Sequence, residues 1–97
     1  MAQVMPGRTL SERIDFSLDY LKKAWEGIPL DAAEWAEWDQ YARLDFELEW
    51  AIPESHLAML KEWAEQGLLS PAQQARYTTL LQIVATNRPI LDRMLAE

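Results

Sequence analysis

The sequence contains no cysteine and only one histidine among its 97 residues. Without cysteine, no disulfide can staple the fold, and no thiolate can bind a metal or attack a substrate. With His56 alone, a multi-histidine zinc site and any catalytic triad that needs a second histidine are excluded. The three scattered glycines are too few for a phosphate-cradling loop. His56 itself is expected to be a surface or capping residue.

Long hydrophobic runs are also missing. The longest uncharged stretch, residues 77–87, is far shorter than a membrane span. Residues 1–8 contain Pro6 and Gly7, lack the apolar run of a signal peptide, and are predicted to be a flexible lead-in. Residues 9–97 are predicted to form a single helical domain. A cytoplasmic protein with no membrane attachment is the expectation.

Basic residues are scarce, since nine Lys and Arg stand against sixteen Asp and Glu, a net charge of −7. The imbalance is local: residues 26–65 carry eleven acidic side chains against Arg43 and Lys61, which gives −9 for that segment. Such a field repels nucleic acid and anionic membranes and attracts basic surfaces. Direct binding to nucleic acid is therefore not expected.

Large apolar side chains are plentiful, and their spacing is helical. Apolar residues make up 49% of the chain, including five Trp. Two helix starts are marked, one by Thr9 with Glu12 and the other by the segment 70–73, Ser-Pro-Ala-Gln. Gly27 and Gly67 are each predicted to end a helix. The prediction is an all-α fold, a small bundle of four or five helices with short connections.

One capping signal and two prolines predict further helix boundaries. Asp31-x-x-Glu34 matches a capping box and predicts a helix from about residue 32 to about residue 51. Pro53 favours a boundary before it and a new helix from its first turn. Pro89 removes one backbone hydrogen bond from the last helix, so a kink or short break near Asn87 is expected.

The segment 32–52 has more apolar surface than a bundle helix needs. Its aromatic and aliphatic residues cover about 200° of a helix at 100° per residue. The helix is therefore either central and nearly surrounded, or its aromatic surface contacts a partner, since Trp and Tyr are common interface anchors. The predicted partner-binding residues are Glu34, Trp35, Glu37, Trp38, Asp39, Glu47 and Trp50.

Asp45 and Glu49 lie one turn apart in the middle of that wide apolar face. An unpaired buried carboxylate would cost several kcal/mol or take up a proton. Arg76 and Arg88 share a stripe of the last helix. The hypothesis is that Asp45 or Glu49 forms a buried ion pair with Arg76 or Arg88 across the bundle. The alternatives are an acid pair that faces a partner and a metal or catalytic site.

One acidic pattern resembles a known family. Glu34-x-x-Glu37 and Glu62-x-x-Glu65 are similar to the paired acidic motifs of all-α nucleotide pyrophosphohydrolases, although that family's second motif ends in Asp where this chain has Glu65. The resemblance implies a magnesium ion held between helices and a nucleotide-hydrolysing activity. Otherwise the residues indicate no cofactor, no metal and no catalytic group.

Three functions follow from these features. The favoured one is a protein-binding module that presents an acidic, aromatic surface to a basic protein, as an inhibitor or antitoxin-like partner would. The first alternative is a homo-oligomeric structural bundle, such as a homodimer, with the aromatic face buried against its own copy. The second is the magnesium-dependent hydrolase.

Overall fold

The computed structural model describes residues 9–96, and within them the chain is helical with no strand. The predicted flexible lead-in, residues 1–8, lies outside the described residues. Five α-helices and one 3₁₀ turn follow each other along the chain: α1 (Leu10–Glu26), α2 (Ile28–Glu34), the 3₁₀ turn (Trp35–Glu37), α3 (Gln40–Glu49), α4 (Ala51–Glu65) and α5 (Pro71–Ala96). The all-α class is confirmed.

The clearest local signals form the predicted caps. The Thr9 hydroxyl accepts the backbone N–H of Glu12 at 3.1 Å, and the Glu12 carboxylate accepts the backbone N–H of Thr9 at 2.9 Å, so the predicted capping box starts α1. Ser70 and Gln73 make the same reciprocal pair at 3.1 and 2.9 Å, which starts α5. Gly67 closes α4 with a positive φ of 74°.

The predicted single helix over residues 32–51 is wrong. The capping box at Asp31 is not used, because Gly27 caps α2 and Pro29 stands in its first turn. The chain then tightens into the 3₁₀ turn and becomes extended at Trp38, where ψ is 139°. Asp39 accepts the backbone N–H of Ala42 at 2.8 Å and starts α3 as a new N-cap.

Two proline expectations have different outcomes. Pro53 lies in the first turn of α4, as predicted, and the boundary before it falls at Trp50. Of the kink or short break expected near Asn87, the break is absent, since α5 continues through Pro89 to Ala96, and the kink stays a prediction. The carbonyl that loses its backbone partner belongs to Ala85, which is exposed, so water can bind it.

Three long helices carry the packing, because α1 lies against both α4 and α5 and α2 continues the contact with α5. Residues 28–50 form short bent segments in place of a fourth long helix, so the predicted bundle of four or five helices does not describe the arrangement. Buried hydrophobic residues come from every element except α3: Ile14, Leu18, Leu21, Trp25, Ile28, Trp35, Trp50, Leu60, Tyr77, Leu80, Val84, Leu91 and Met94.

Buried amides tie α5 to α1. The Gln73 side-chain amide donates to the Ser11 carbonyl, the Ser11 hydroxyl and the Asp15 carboxylate at 3.0–3.1 Å. Further along, the Asn87 amide donates to the Trp25 carbonyl at 3.1 Å. Both side chains are buried and donate hydrogen bonds across the contact, so they help to set the register between the two helices.

Candidate functional site

Helix α3 buries none of its residues, yet it carries large apolar side chains. The exposed fractions are 72% for Tyr41, 50% for Leu44 and 65% for Leu48, and Ile52 at the start of α4 is 55% exposed. The spacing of three and four residues places Tyr41, Leu44 and Leu48 on one line of α3, and Ile52 follows just after the boundary between α3 and α4 at Trp50. We call Tyr41, Leu44, Leu48 and Ile52 the outer stripe.

The wide apolar segment seen in the sequence therefore consists of two separate faces. At about 100° per residue, the three stripe residues within α3, Tyr41, Leu44 and Leu48, occupy an arc of about 60°. Phe46 and Trp50 lie roughly opposite, about 160° from the centre of that arc, and they pack inward against the core. Only the inner face contributes to the core, and the outer stripe is left uncovered among the described residues.

The inner face belongs to a continuous aromatic cluster. Phe46 stacks on Trp50 at a centroid distance of 5.5 Å, and Trp50 meets Trp25 of α1 edge-on at 5.1 Å. On the other side, Phe46 contacts Trp35 at 5.5 Å and Trp38 at 5.9 Å. Each edge-to-face or offset pair stabilises the contact beyond simple burial, so these aromatic rings hold α3 on the body of the protein.

Three predicted partner-binding residues lie in this cluster. Trp35 and Trp50 are buried and Trp38 is half-buried, so their indoles are committed to packing. Arg43 covers Trp35 from outside: its guanidinium lies 5.3 Å from the ring centre and donates two hydrogen bonds, of 2.7 and 3.0 Å, to the Trp35 carbonyl. Contact of Trp35, Trp38 and Trp50 with a partner stays a prediction, and in the structure their rings pack on the core.

The acidic members of the predicted site are exposed. Glu34, Glu37, Asp39 and Glu47 all reach the surface, although Asp39 also serves as the N-cap of α3. Asp45 and Glu49 are exposed as well, on one edge of the outer stripe, whereas Glu47 lies on its other edge. The outer stripe is thus flanked by carboxylates on both sides.

The predicted buried ion pairs of Asp45 and Glu49 do not form. Arg76 binds Asp15 and Asp19 of α1, and Arg88 binds Glu54 of α4. The reason is the position of α3: it lies at the outside of the molecule, so its carboxylates keep their hydration and need no buried partner. Arg76 and Arg88 pair instead with acids on α1 and α4, the helices that lie beside them.

A cleft opens beside the outer stripe. Its volume is about 380 Å³, and its walls come from α3 and the end of α5, with Trp35 behind them. The apolar walls include Tyr41 and Leu44 on one side and Met94 and Leu95 on the other, and Glu47 stands among its polar groups. The cleft therefore extends the apolar surface of the stripe into a recess.

The residues of the acidic-motif resemblance do not form a metal site. Glu34 ends α2 and Glu37 lies in the 3₁₀ turn, whereas Glu62 and Glu65 are in the last turns of α4. Over residues 9–96, no group of three or more His, Asp or Glu side chains is arranged to hold a metal ion. The magnesium site that the resemblance implied is therefore not formed by these glutamates.

His56 is more enclosed than expected. It is half-buried, its ring lies 5.0 Å from that of Tyr20, and its Nδ1 is 3.3 Å from the buried Ser17 hydroxyl. The pair links α4 to α1. The expectation of a surface or capping histidine is corrected to a packing contact.

The sequence contained a signal for the outer stripe that the broad apolar face concealed. Spacings of three, four and four residues between Tyr41 and Ile52 are typical of a single helical line. Leu44, in particular, was absent from the predicted contact residues. The acidic residues between the two faces, Asp45 and Glu49, were the sign that the segment had two sides.

Comparison with known proteins adds no assignment. No protein-family model, no curated protein and no solved structure matches the chain. Within residues 9–96, none of the helices combines the length and apolar character that crossing a bilayer requires.

Proposed function

We propose that this protein is a binding module for a basic protein, which it contacts through the outer stripe and the surrounding carboxylates. The observation that carries the proposal is the state of α3: the helix buries none of its residues, yet Tyr41, Leu44 and Leu48 align on its exposed side. An apolar line that faces water contributes no favourable free energy of burial until another surface packs on it. Covering it is the role we assign to the partner.

The energetics support binding through this surface. Full burial of a Leu or Ile side chain contributes roughly 1.5–3 kcal/mol, so three or four such side chains suffice as anchors of a specific contact. The acidic field of residues 26–65 speeds the encounter with a basic surface and disfavours acidic proteins. Affinity thus comes from the stripe, and selectivity from the carboxylates.

An apolar contact surrounded by carboxylates suits an inhibitor or antitoxin-like partner of a basic, nucleic-acid-processing protein. Such a target has a cationic surface that an acidic protein can cover. The support is the charge of residues 26–65, which stands against two basic residues in that segment.

The test is affinity capture from the native lysate with three forms of the protein. The forms are the wild type, Leu48→Asp in the outer stripe, and Leu81→Asp, a matched control at an exposed leucine of α5. We expect a basic protein to be retained by the wild type and by Leu81→Asp, lost with Leu48→Asp, and released at high salt. Capture that Leu48→Asp leaves unchanged would contradict the assignment of the stripe.

The shape of the molecule favours self-association as a second candidate. The described chain measures 46 × 33 × 17 Å, and its radius of gyration is 15.6 Å, against about 12 Å for a compact domain of this length. A flat molecule buries less of its own surface than a compact one, and the exposed outer stripe is an apolar surface that a second copy could cover. Sedimentation over a range of protein concentrations distinguishes the candidates, since a homodimer formed through the stripe would dissociate with Leu48→Asp.

A further inference from the structure

Building on the proposed function, the geometry points to a basic amphipathic α-helix as the element of the partner that covers the outer stripe. Such a helix lies along α3, places one apolar side chain in the cleft between α3 and α5, and directs basic side chains to the carboxylates on either edge.

The form of the surface selects a helix. Tyr41, Leu44 and Leu48 lie within α3 and span about 10 Å, or two turns of the helix. Such a line matches the apolar line of a partner helix, in which anchors recur every three or four residues. Addition of a partner strand needs a sheet edge, and residues 9–96 contain no strand to provide one.

The charges around the stripe select a basic helix. Asp45 and Glu49 stand on one edge and Glu47 on the other, all exposed. Arg43 is the basic residue of α3, and its guanidinium is turned inward onto the Trp35 carbonyl. A helix with Lys or Arg on both sides of its apolar line therefore meets a carboxylate on each edge and no opposing cation from α3.

The same charges disfavour a second copy of this chain as the occupant. Two outer stripes packed on each other would bring Asp45, Glu47 and Glu49 close to the same residues of the second copy. Like charges across an interface are unfavourable, and residues 26–65 contribute −9 from each chain. Charge complementarity is satisfied by a basic helix and not by self-association.

The cleft supplies the anchor position. Its apolar walls include Leu44, which also belongs to the outer stripe, and Leu95 near the end of α5. An apolar side chain of the partner helix that contacts Leu44 is therefore next to the recess and can enter it without a change in the direction of that helix. Anchors that fill a recess are the residues that dominate binding at helix-in-groove contacts.

Synthetic peptides test the inference directly. The probe is a labelled peptide of about 15 residues with leucines spaced three and four apart and lysines on both flanks. One comparison peptide has the same composition with the leucines at alternate positions, and another replaces every lysine by glutamate. Binding is followed by fluorescence anisotropy, and helix formation by circular dichroism, each at low and high salt.

We expect the lysine peptide alone to bind, to become helical on binding, and to weaken as salt increases. Leu48→Ala in the stripe and Leu95→Ala in the cleft should each reduce the affinity about tenfold, the effect expected for interface anchors. Leu81→Ala, an exposed leucine outside the surface, should leave the affinity unchanged. A thermal melt of each variant is the control that tests whether the fold is retained.

Other outcomes overturn the inference in distinguishable ways. Equal binding of the rearranged peptide would show that the contact does not need a helical apolar line, and equal binding of the glutamate peptide would show that it does not need basic side chains. An equal loss of affinity with Leu81→Ala would show that the contact is not located at the stripe. If lysate capture depends on Leu48 but no peptide binds, the helical form is wrong and the proposed function stands. A dimer that Leu48→Asp dissociates would instead identify a second copy as the occupant and overturn both.

Discussion

The carboxylate of Glu54 on α4 accepts both terminal N–H groups of the Arg88 guanidinium on α5, at 3.0 Å each. The same carboxylate accepts the Trp50 indole N–H at 3.1 Å, and Arg88 lies 4.8 Å from the centre of the Trp25 ring. The hydrogen bond to Glu54 is the main reason that the pKa of Arg88 is raised. One ion pair therefore fixes two indoles of the core and the contact between α4 and α5.

Replacing Glu54 with Gln should lower the free energy of unfolding by about 1–2 kcal/mol, because a charged, bidentate acceptor becomes a neutral one. Arg88→Lys should also destabilise the fold, since an ammonium cannot reproduce the planar, bidentate hydrogen bonding of the guanidinium. Urea denaturation measures both variants. Glu62→Gln, an exposed position of the same helix, is the matched control and should have almost no effect.

The two faces of α3 should respond oppositely to truncation. Trp50→Ala removes a buried ring and should cost about 3 kcal/mol or more. Leu48→Ala removes an exposed side chain and should change stability by no more than about 0.5 kcal/mol. A large loss of stability with Leu48→Ala would mean that the outer stripe is covered within the monomer.

The two described glycines at helix ends provide a backbone test. Gly67 has a φ of 74° and open space where a Cβ would stand, so Gly67→Ala should destabilise by about 1–2 kcal/mol through backbone strain alone. Gly27 has ordinary helical angles, and the nearest atom to an added Cβ is 3.4 Å away. Gly27→Ala should therefore be neutral or stabilise by up to about 1 kcal/mol. Thermal denaturation compares the two variants.

Asp31 should make stability depend on pH. Burial raises the pKa of its carboxyl above the ordinary value of 3.8, and the nearby Glu34 raises it further. Because the folded state holds this proton more tightly than the unfolded state, the associated stability is present below pH 3.8 and is lost as pH increases through the raised pKa.

Asp31→Asn should consequently increase the melting temperature relative to the wild type more at about pH 7 than at about pH 3.5. Melting curves across this range measure the difference. Asp45→Asn, which changes an exposed carboxylate of α3, is the comparison variant. A gain for Asp31→Asn that is the same at every pH would contradict the proposed effect of burial.

Much of the helical framework was predictable from short-range patterns. The caps at Thr9 and Ser70, the glycine stop at Gly67 and the start near Pro53 were all recognised in the sequence and occur in the structure. Each of these features depends on hydrogen bonds or backbone angles within a few residues. The break at Trp38 was missed because Asp31 and Asp39 are both suitable N-caps, and the capping pattern alone favoured the wrong one.

The candidate site was only partly predictable. Glu34, Glu37 and Glu47 are predicted to contact a partner; the structure shows that they are exposed, and the contact itself stays a prediction. Trp35 and Trp50 were assigned to the same surface, but they complete the aromatic cluster of the core. Residue type could not separate them from Tyr41 and Leu48, since all four are large and apolar.

By itself, the sequence determined that this protein is all-α, where most of its helices start and stop, and that its middle segment is strongly acidic. These properties follow from local backbone preferences and from composition. Only the tertiary structure decided which side of α3 packs inward and which acids meet Arg76 and Arg88. Those outcomes depend on how the chain bends at Trp38 and Trp50, because a bend sets the direction of every side chain that follows it.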